Sequence, residues 1–98
     1  MNKTNLQELL PLGSIVTLKK GTKKIMICGR IQEEATTKKI YDYAACYYPE
    51  GILNPHELFL FQHEDVEFVY FVGMQDREEF SFRDFLIGKL KEKGMLET

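Results

Sequence analysis

The chain has 98 residues, of which 44% are hydrophobic and 29% are charged, and its formal net charge is -2. This length and composition predict one globular domain, residues 1–98, and exclude a disordered chain. A weakly acidic balance provides no field to hold a phosphate backbone, so we expect no nucleic-acid partner. The sequence has neither 18 consecutive apolar residues nor a signal-peptide core, which predicts no membrane segment and a cytoplasmic location.

The first third of the chain is predicted to form a short N-terminal helix and then a β-hairpin. The stretch "TNLQELL", residues 4–10, can form the helix, which the following proline must end. Two strand-like runs, residues 14–19 and 24–31, are joined by a glycine-centred turn. In the second run, alternation places Ile25 and Ile27 on one face of the strand. We expect that face to meet the core.

The tyrosine-rich stretch "KKIYDYAACYY", residues 38–48, is the predicted third strand. If it pairs with the second strand across the polar loop "QEEATT", residues near 30 oppose residues near 38. That register places Cys28 opposite Ile40 and Cys46 opposite the hairpin turn. The two cysteines would then be too far apart for a disulfide, which requires Cα atoms within about 7 Å. We therefore expect two free thiols.

Two more strands are predicted at residues 56–62 and 66–73, separated by the polar turn "HED". The second of these runs, "VEFVYFVG", has apolar residues on both faces. A strand with two apolar faces is typical of the middle of a sheet, covered on both sides. We therefore expect residues 66–73 to form a central strand.

The last segment, "EFSFRDFLIGKLKEKG", changes to helical spacing over residues 79–94. Ser81 is the predicted N-cap, and Phe82, Phe85, Leu86 and Leu90 form the predicted core-facing stripe. The predicted fold is therefore α+β: a bent antiparallel sheet of about five strands, packed by a C-terminal amphipathic helix, with an SH3-like small barrel as its closed form.

The sequence carries no recognisable catalytic signature. The only histidines are His56 and His63, and no nucleophile elbow or glycine-rich nucleotide motif is present. The "HED" spacing matches no metal-ligand pattern, and a polar turn explains it as well. We therefore predict that the protein is not an enzyme and binds no cofactor or metal.

Three stretches, taken in order, carry a family resemblance: "LLPLGSIVTLKKGTKKIMICGR", "DYAACYYPEG" and "FQHEDVEFVYFVG". Together they resemble the uncharacterised small-protein family of Gram-positive bacteria that is encoded beside LXG-toxin genes of the type VII (Esx) secretion system. The resemblance runs from Leu9 to Gly73 and departs from the family pattern at Ala44 and Ala45. The family-like residues are Leu12, Gly13, Gly29, Arg30, Asp42, Tyr43, Tyr48, Pro49, Glu50, Gly51, Phe61, His63, Asp65 and Phe71.

The resemblance implies an accessory cytoplasmic protein of a secretion or toxin locus, and it implies no reaction. The main hypothesis is a non-enzymatic protein-interaction module that assists a type VII substrate or toxin. A second hypothesis is an immunity or regulatory protein that neutralises a neighbouring toxin, for which acidic charge suits a basic target. A third is a small enzyme or metal-binding protein that uses His63, Asp65 and Glu50. The sequence specifies no oligomeric state.

Loops on a rigid sheet commonly carry recognition, and exposed aromatic residues suit protein interfaces. This reasoning selects two short loops as the candidate partner-binding site. The alternative for the first loop is purely structural, a type II turn built on its proline and glycine. Both readings stay open from sequence. The candidate residues are Tyr47, Tyr48, Pro49, Glu50, Gly51, His63 and Asp65.

Overall fold

One five-stranded antiparallel sheet and one helix make up the fold of residues 8–92, the part of the chain that the computed structural model describes. The α+β prediction is confirmed. Residues 4–7 of the predicted N-terminal helix and residues 93–94 of the predicted C-terminal helix lie outside the described residues. The elements are β1 (Ile15–Leu18), β2 (Ile25–Glu33), β3 (Ile40–Tyr47), β4 (Phe59–Phe61), a 3-10 turn (His63–Asp65), β5 (Val66–Phe71) and α1 (Arg77–Glu92).

The core lies on the sheet face that α1 covers. Val16 of β1, Ile25 and Ile27 of β2 and Leu90 of α1 are all buried in one cluster. This confirms the predicted inward face of β2. Burial of each such side chain stabilises the fold by roughly 1.5–3 kcal/mol. Alternation along the strands sends Ile15, Met26 and Cys46, which pair across β1, β2 and β3, to the opposite face, here called the outer face.

The strand order β4-β3-β2-β1-β5 places β5 at an edge of the sheet. The prediction of a central strand at residues 66–73 is therefore wrong. Among residues 8–92, only β1 pairs with β5, and every residue from Glu67 to Val72 is exposed. β5 does have apolar residues on both faces, but these residues are exposed to solvent. The buried position beside β2 is occupied by β1.

The sheet stays open and does not close into an SH3-like barrel. Closure would require the two outer strands, β4 and β5, to pair with each other, and the ladder ends at each of them. β4 is only three residues long, so the predicted strand at residues 56–62 is shorter than expected. Such a short strand offers little backbone for a further ladder.

The register between β2 and β3 differs from the predicted one. Arg30 pairs with Tyr43, and Glu33 pairs with Ile40, so the tight turn begins later than the polar loop suggested. A hydrogen bond from the Glu34 N–H to the Lys39 carbonyl closes this turn at 2.8 Å. The predicted partner of Arg30 was a residue near 38, so the observed pairing with Tyr43 shifts β3 by about five residues along β2. The predicted separation of the cysteines changes with this shift.

Helix α1 begins four residues before the predicted cap. The Asp76 carboxylate accepts a hydrogen bond from the Glu79 N–H at 3.0 Å, so Asp76, and not Ser81, caps the helix. The inward stripe contains charged residues as well as Leu90. Phe82 and Phe85, predicted to face the core, are 48% and 55% exposed, because the inward positions of the first two turns are taken by an ion-pair cluster.

Candidate protein-interaction surface

The edge strand presents an exposed apolar run, which we call the aromatic edge: Phe68, Val69, Tyr70, Phe71 and Val72. Phe68 and Phe71 are 60% and 59% exposed. Natural edge strands are commonly protected by charged residues or proline, yet β5 contains one charge, Glu67, and no proline. Exposed apolar side chains grouped in this way mark interaction sites more often than scattered ones do.

The pairing of β5 with β1 determines where these rings point. Phe68 pairs with Thr17 and Phe71 pairs with Ile15, so both rings lie on the outer face of the sheet. Two register irregularities along this pair give β5 extra residues. The Phe68 and Tyr70 rings lie 6.3 Å apart, and the Lys24 ammonium lies 4.8 Å from the Tyr70 ring. The aromatic edge is therefore a cluster of rings with a cation at its border.

Helix α1 adds three half-exposed rings, which we call the helix phenylalanines: Phe80, Phe82 and Phe85. The Phe82 and Phe85 rings are stacked with centroids 6.1 Å apart. Each of the three rings lies 5.5–5.6 Å from a cationic group, provided by Arg83, Arg30 and Lys89. Cations over ring faces are favourable and leave the ring edges open to a partner.

The exposed rings fall into two separate patches, because Phe68 and Phe71 lie on the outer face of the sheet whereas α1 covers the inner face. Aromatic side chains present 150–250 Å² each, so the three half-exposed rings of β5 leave about 250–450 Å² uncovered. The largest apolar patch of a typical monomer is about 300–600 Å² and is often functional. The aromatic edge alone therefore has the size expected of such a patch.

A buried cluster of three charged side chains holds the first turns of α1 against β2. Arg30 donates to both carboxylate oxygens of Glu79, at 2.6 and 2.8 Å, and Arg83 donates to the same carboxylate at 2.8 Å. The Arg30 side chain is 3% exposed. Burial alone would raise the pKa of Glu79, but the hydrogen bonds from the two arginines outweigh it and hold this pKa below its ordinary value.

The "YYPEG" stretch forms the turn that follows β3. The Gly51 N–H donates to the Tyr47 carbonyl at 2.8 Å, and Gly51 has a φ of 86°, which favours glycine. The Tyr48–Pro49 bond is cis. Glu50, which follows the proline and would occupy position i+2 of a type II turn, does not have the positive φ that this turn type requires. Lys23 donates to the Glu50 carboxylate at 2.8 Å, and this hydrogen bond holds the pKa of Glu50 below its usual range. Tyr48 remains exposed at the tip.

A cleft of about 420 Å³ lies beside this turn. It opens between the end of β3 and the loop that leads into β4, so Tyr47 and Gly51 belong both to the turn and to the cleft wall. Ile52 and Leu53, on the loop side, are exposed. This apolar loop was not predicted from the sequence. The available signal was the pair of large aliphatic residues, Ile52 and Leu53, directly after the turn.

The "HED" stretch is the 3-10 turn His63–Asp65, and its polar groups form hydrogen bonds within the fold. Asp65 accepts a hydrogen bond from the Gln62 N–H at 3.0 Å, and the His63 N–H donates to buried Asp42 at 2.7 Å. Phe61 pairs with Tyr43, whereas Glu50 follows the far end of β3. The structure therefore brings His63 and Asp65 together but leaves Glu50 at the opposite end of the strand.

Tyr43 connects this turn to the start of the described chain. Its hydroxyl accepts a hydrogen bond from the Leu10 N–H at 2.9 Å and lies 2.6 Å from Nδ1 of His63. Burial raises the pKa of Tyr43 to about 12, so the hydroxyl stays protonated at neutral pH. The arrangement of Asp42, Tyr43 and His63 is a structural network that fixes the orientation of β4.

Tyr43→Phe should lower the free energy of unfolding by about 1–3 kcal/mol, because it removes the acceptor of a partly buried N–H. Urea denaturation of the two proteins measures this difference. Tyr41→Phe is the matched control in the same strand and should change stability by less than about 0.5 kcal/mol. Equal stabilities for the Tyr43 and Tyr41 variants would show that the hydroxyl network does not hold the fold.

Within residues 8–92, no three His, Cys, Asp or Glu side chains gather closely enough to hold a metal ion. Over the same stretch, no helix is both long enough and apolar enough to cross a bilayer. Fold and surface together define a small α+β protein with an open antiparallel sheet and a half-exposed aromatic surface.

The chain belongs to the family described as a domain of unknown function, DUF4176, whose family model matches residues 9–82. The match covers the sheet and the start of α1, and so includes the aromatic edge and two members of the buried cluster, Arg30 and Glu79. The third member, Arg83, lies one residue beyond the match. No curated protein matches the chain at a significant level, and no solved structure does so either.

Proposed function

We propose that the protein is a non-enzymatic interaction module that binds a substrate or toxin of a type VII secretion locus and assists its handling or export. The observation that carries this proposal is the aromatic edge, an exposed apolar run on a strand at the edge of the sheet. The resemblance of the sequence to proteins encoded beside LXG-toxin genes supports the choice of partner.

The aromatic edge is the part of this surface best suited to dominate binding. Aromatic side chains supply large contact area with few rotatable bonds, and they are enriched among the residues that contribute most to interface affinity. Phe68 and Phe71 project from a strand whose backbone is fixed by pairing with β1, so the rings are presented by a rigid element. Lys24, at the border of the cluster, places a positive charge where a partner's carboxylate can approach.

The turn residues selected from the sequence form a second contact region. Tyr47, Tyr48, Pro49, Glu50 and Gly51 lie at one end of β3, on loops beside the apolar cleft. His63 and Asp65 lie at the other end and use their polar atoms within the fold. We therefore assign Tyr47–Gly51 a supporting role in the proposed interface, and we assign His63 and Asp65 the role of positioning the loop.

The proposal is tested by co-expressing the protein with the LXG-type toxin of its own locus and purifying through a tag on the toxin. The wild type should co-purify in a fixed ratio. Phe68→Thr/Phe71→Thr should bind at least about 30-fold more weakly, since hot-spot residues contribute 2 kcal/mol or more. Threonine preserves strand propensity, so this variant should keep its far-UV circular dichroism spectrum.

Ile52→Thr/Leu53→Thr provides the matched control, because both residues are exposed aliphatics outside the aromatic edge. It should retain binding within about threefold, as expected for residues outside a hot spot. Failure of the wild type to co-purify with any secretion substrate of the locus would overturn the proposed function. Equal loss in both double variants would contradict the dominance of the aromatic edge, because the turn and cleft would then contribute as much to binding.

A co-expression assay with the toxin discriminates the immunity hypothesis from the hypothesis of export assistance. Co-expression with the isolated toxic domain should leave cells unprotected if the protein assists export, because binding then involves another part of the toxin. Protection of the cells, lost in Phe68→Thr/Phe71→Thr, would assign the aromatic edge to toxin neutralisation.

A further inference from the structure

The two cysteines lie on neighbouring strands and point to the same face. Cys46 of β3 pairs with Met26 of β2, and Cys28 follows two residues after Met26. Because side chains two apart in a strand share a face, Cys28 and Cys46 are diagonal neighbours on the outer face of the sheet. This corrects the prediction that the register keeps the two thiols apart.

An irregularity in β2 lies at Cys28 itself. Ile27 pairs with Ala45 and Gly29 pairs with Ala44, which leaves Cys28 as an extra residue without a strand partner of its own. Burial is the main cause that raises the pKa of the Cys28 thiol, and the neighbouring Cys46 thiol raises it further. The register and this influence together make the two thiols close neighbours, and both cysteines are free.

Small reagents have access to this pair. Cys28 is partly exposed, whereas Cys46 is buried but forms part of the wall of the cleft beside the "YYPEG" turn. The cleft, of about 420 Å³, is large enough for a small peptide side chain or a low-molecular-weight thiol to enter. No other cysteine exists in the sequence to compete for either thiol.

We infer that Cys28 and Cys46 form an oxidisable dithiol, which low-molecular-weight disulfides of the glutathione class convert into an internal disulfide across β2 and β3. The Cys28 thiolate attacks one sulfur of the small disulfide, which forms a mixed disulfide and releases one small thiol. The Cys46 thiolate then attacks the Cys28 sulfur and releases the second small thiol. Two protein thiols are oxidised, and one small disulfide is reduced to two thiols.

This property is independent of the proposed partner, and it gives the fold a redox-dependent covalent state. In reducing compartments, cysteine pairs that form disulfides are usually transient and redox-sensing. The bond would join β2 to β3 beside the cleft wall. It would also remove the partly exposed Cys28 thiol from further oxidation.

The test treats the reduced, full-length protein with oxidised glutathione, quenches it in acid and measures the intact mass. The wild type should lose two hydrogens and stay monomeric, and tryptic digestion should yield peptide 25–30 joined to peptide 40–77. Cys46→Ser should instead retain one glutathione on Cys28, because the resolving thiol is gone. Serine is close in size to cysteine, and circular dichroism checks that each variant keeps its fold.

A wild-type protein that carries stable glutathione adducts, or that forms disulfide-linked dimers, would overturn the internal pairing. An unmodified mass after prolonged incubation at pH 9, where thiolates are abundant, would overturn it as well. These outcomes do not depend on whether the protein binds a secretion substrate.

Discussion

Glu79→Gln should lower the free energy of unfolding by about 3–5 kcal/mol, because it leaves buried arginine charge without its carboxylate partner. The Arg30 side chain is 3% exposed and that of Glu79 is 11% exposed, so water cannot replace the lost interaction. Urea denaturation monitored by circular dichroism measures the effect. The variant should also shift the midpoint of thermal unfolding by several degrees.

Glu92→Gln is the matched control in the same helix. Glu92 pairs with Lys89 at 3.7 Å on the exposed surface, where an ion pair contributes less than about 1 kcal/mol. We expect this variant to unfold within about 0.5 kcal/mol of the wild type. If the two glutamine variants lost equal stability, the buried cluster would not be what holds α1 to β2.

The contribution of Glu79 should also depend on pH. Its pKa in the folded protein lies below the ordinary value of 4.5, so the carboxylate stabilises the fold fully above pH 4.5. This stabilisation is lost as the pH falls through the folded pKa, since the unfolded chain then binds more protons. The difference in stability between the wild type and Glu79→Gln should therefore narrow progressively below pH 4.5.

Gly73→Ala should lower the free energy of unfolding by about 3 kcal/mol, the upper end of the range for overpacking. A Cβ atom at Gly73 would overlap the Leu12 carbonyl oxygen and would lie 3.1 Å from the Ser14 nitrogen. Both contacts are with backbone, which cannot rotate away. The Gly73 N–H also donates to the Ser14 hydroxyl at 3.0 Å, so movement of this segment would break a buried hydrogen bond.

Gly88→Ala in α1 provides a control of opposite sign. A Cβ atom at Gly88 meets nothing within 4 Å, so alanine should stabilise the helix by about 0.8–1 kcal/mol. Urea denaturation of both variants measures the pair. A stabilising effect of alanine at position 73 would contradict the close approach of residues 12–14 to the end of β5.

The elements of the fold were predictable from local patterns, but the place of β5 was not. Alternating isoleucines identified the inner face of β2, and helical spacing identified α1. The run "VEFVYFVG" predicted a covered central strand because apolar residues on both faces usually mean burial. β1, only four residues long, also has apolar residues on both faces. No local pattern decides which of the two strands lies at the edge of the sheet.

The candidate site was predicted in part. The "YYPEG" turn lies on the surface beside a cleft, as a recognition loop would, and this role stays a prediction. The aromatic edge was missed because its residues were assigned to the core. The same sequence feature supports either interpretation, and only the strand order separates them. The extra residue at Cys28 likewise has no local signature in the sequence. The proximity of the two cysteines therefore could not be predicted from their spacing alone.

Several residues that carry the family resemblance act within the fold. Arg30 belongs to the buried cluster, whereas Asp42, Tyr43, His63 and Asp65 belong to the hydrogen-bond network around the 3-10 turn. Such residues identify a fold without identifying a partner. The exposed rings, which the fold leaves uncovered, are the better guide to association.

The cluster of Arg30, Glu79 and Arg83 bears on the entropy of binding as well as on stability. Its bidentate hydrogen bonds fix the first turns of α1 before any partner arrives, and the Arg30 guanidinium lies against the Phe82 ring. Ordering a flexible side chain during association costs about 0.5–1.5 kcal/mol. The Phe82 ring is thus preorganised, and ordering it in an interface of the kind proposed would cost less side-chain entropy.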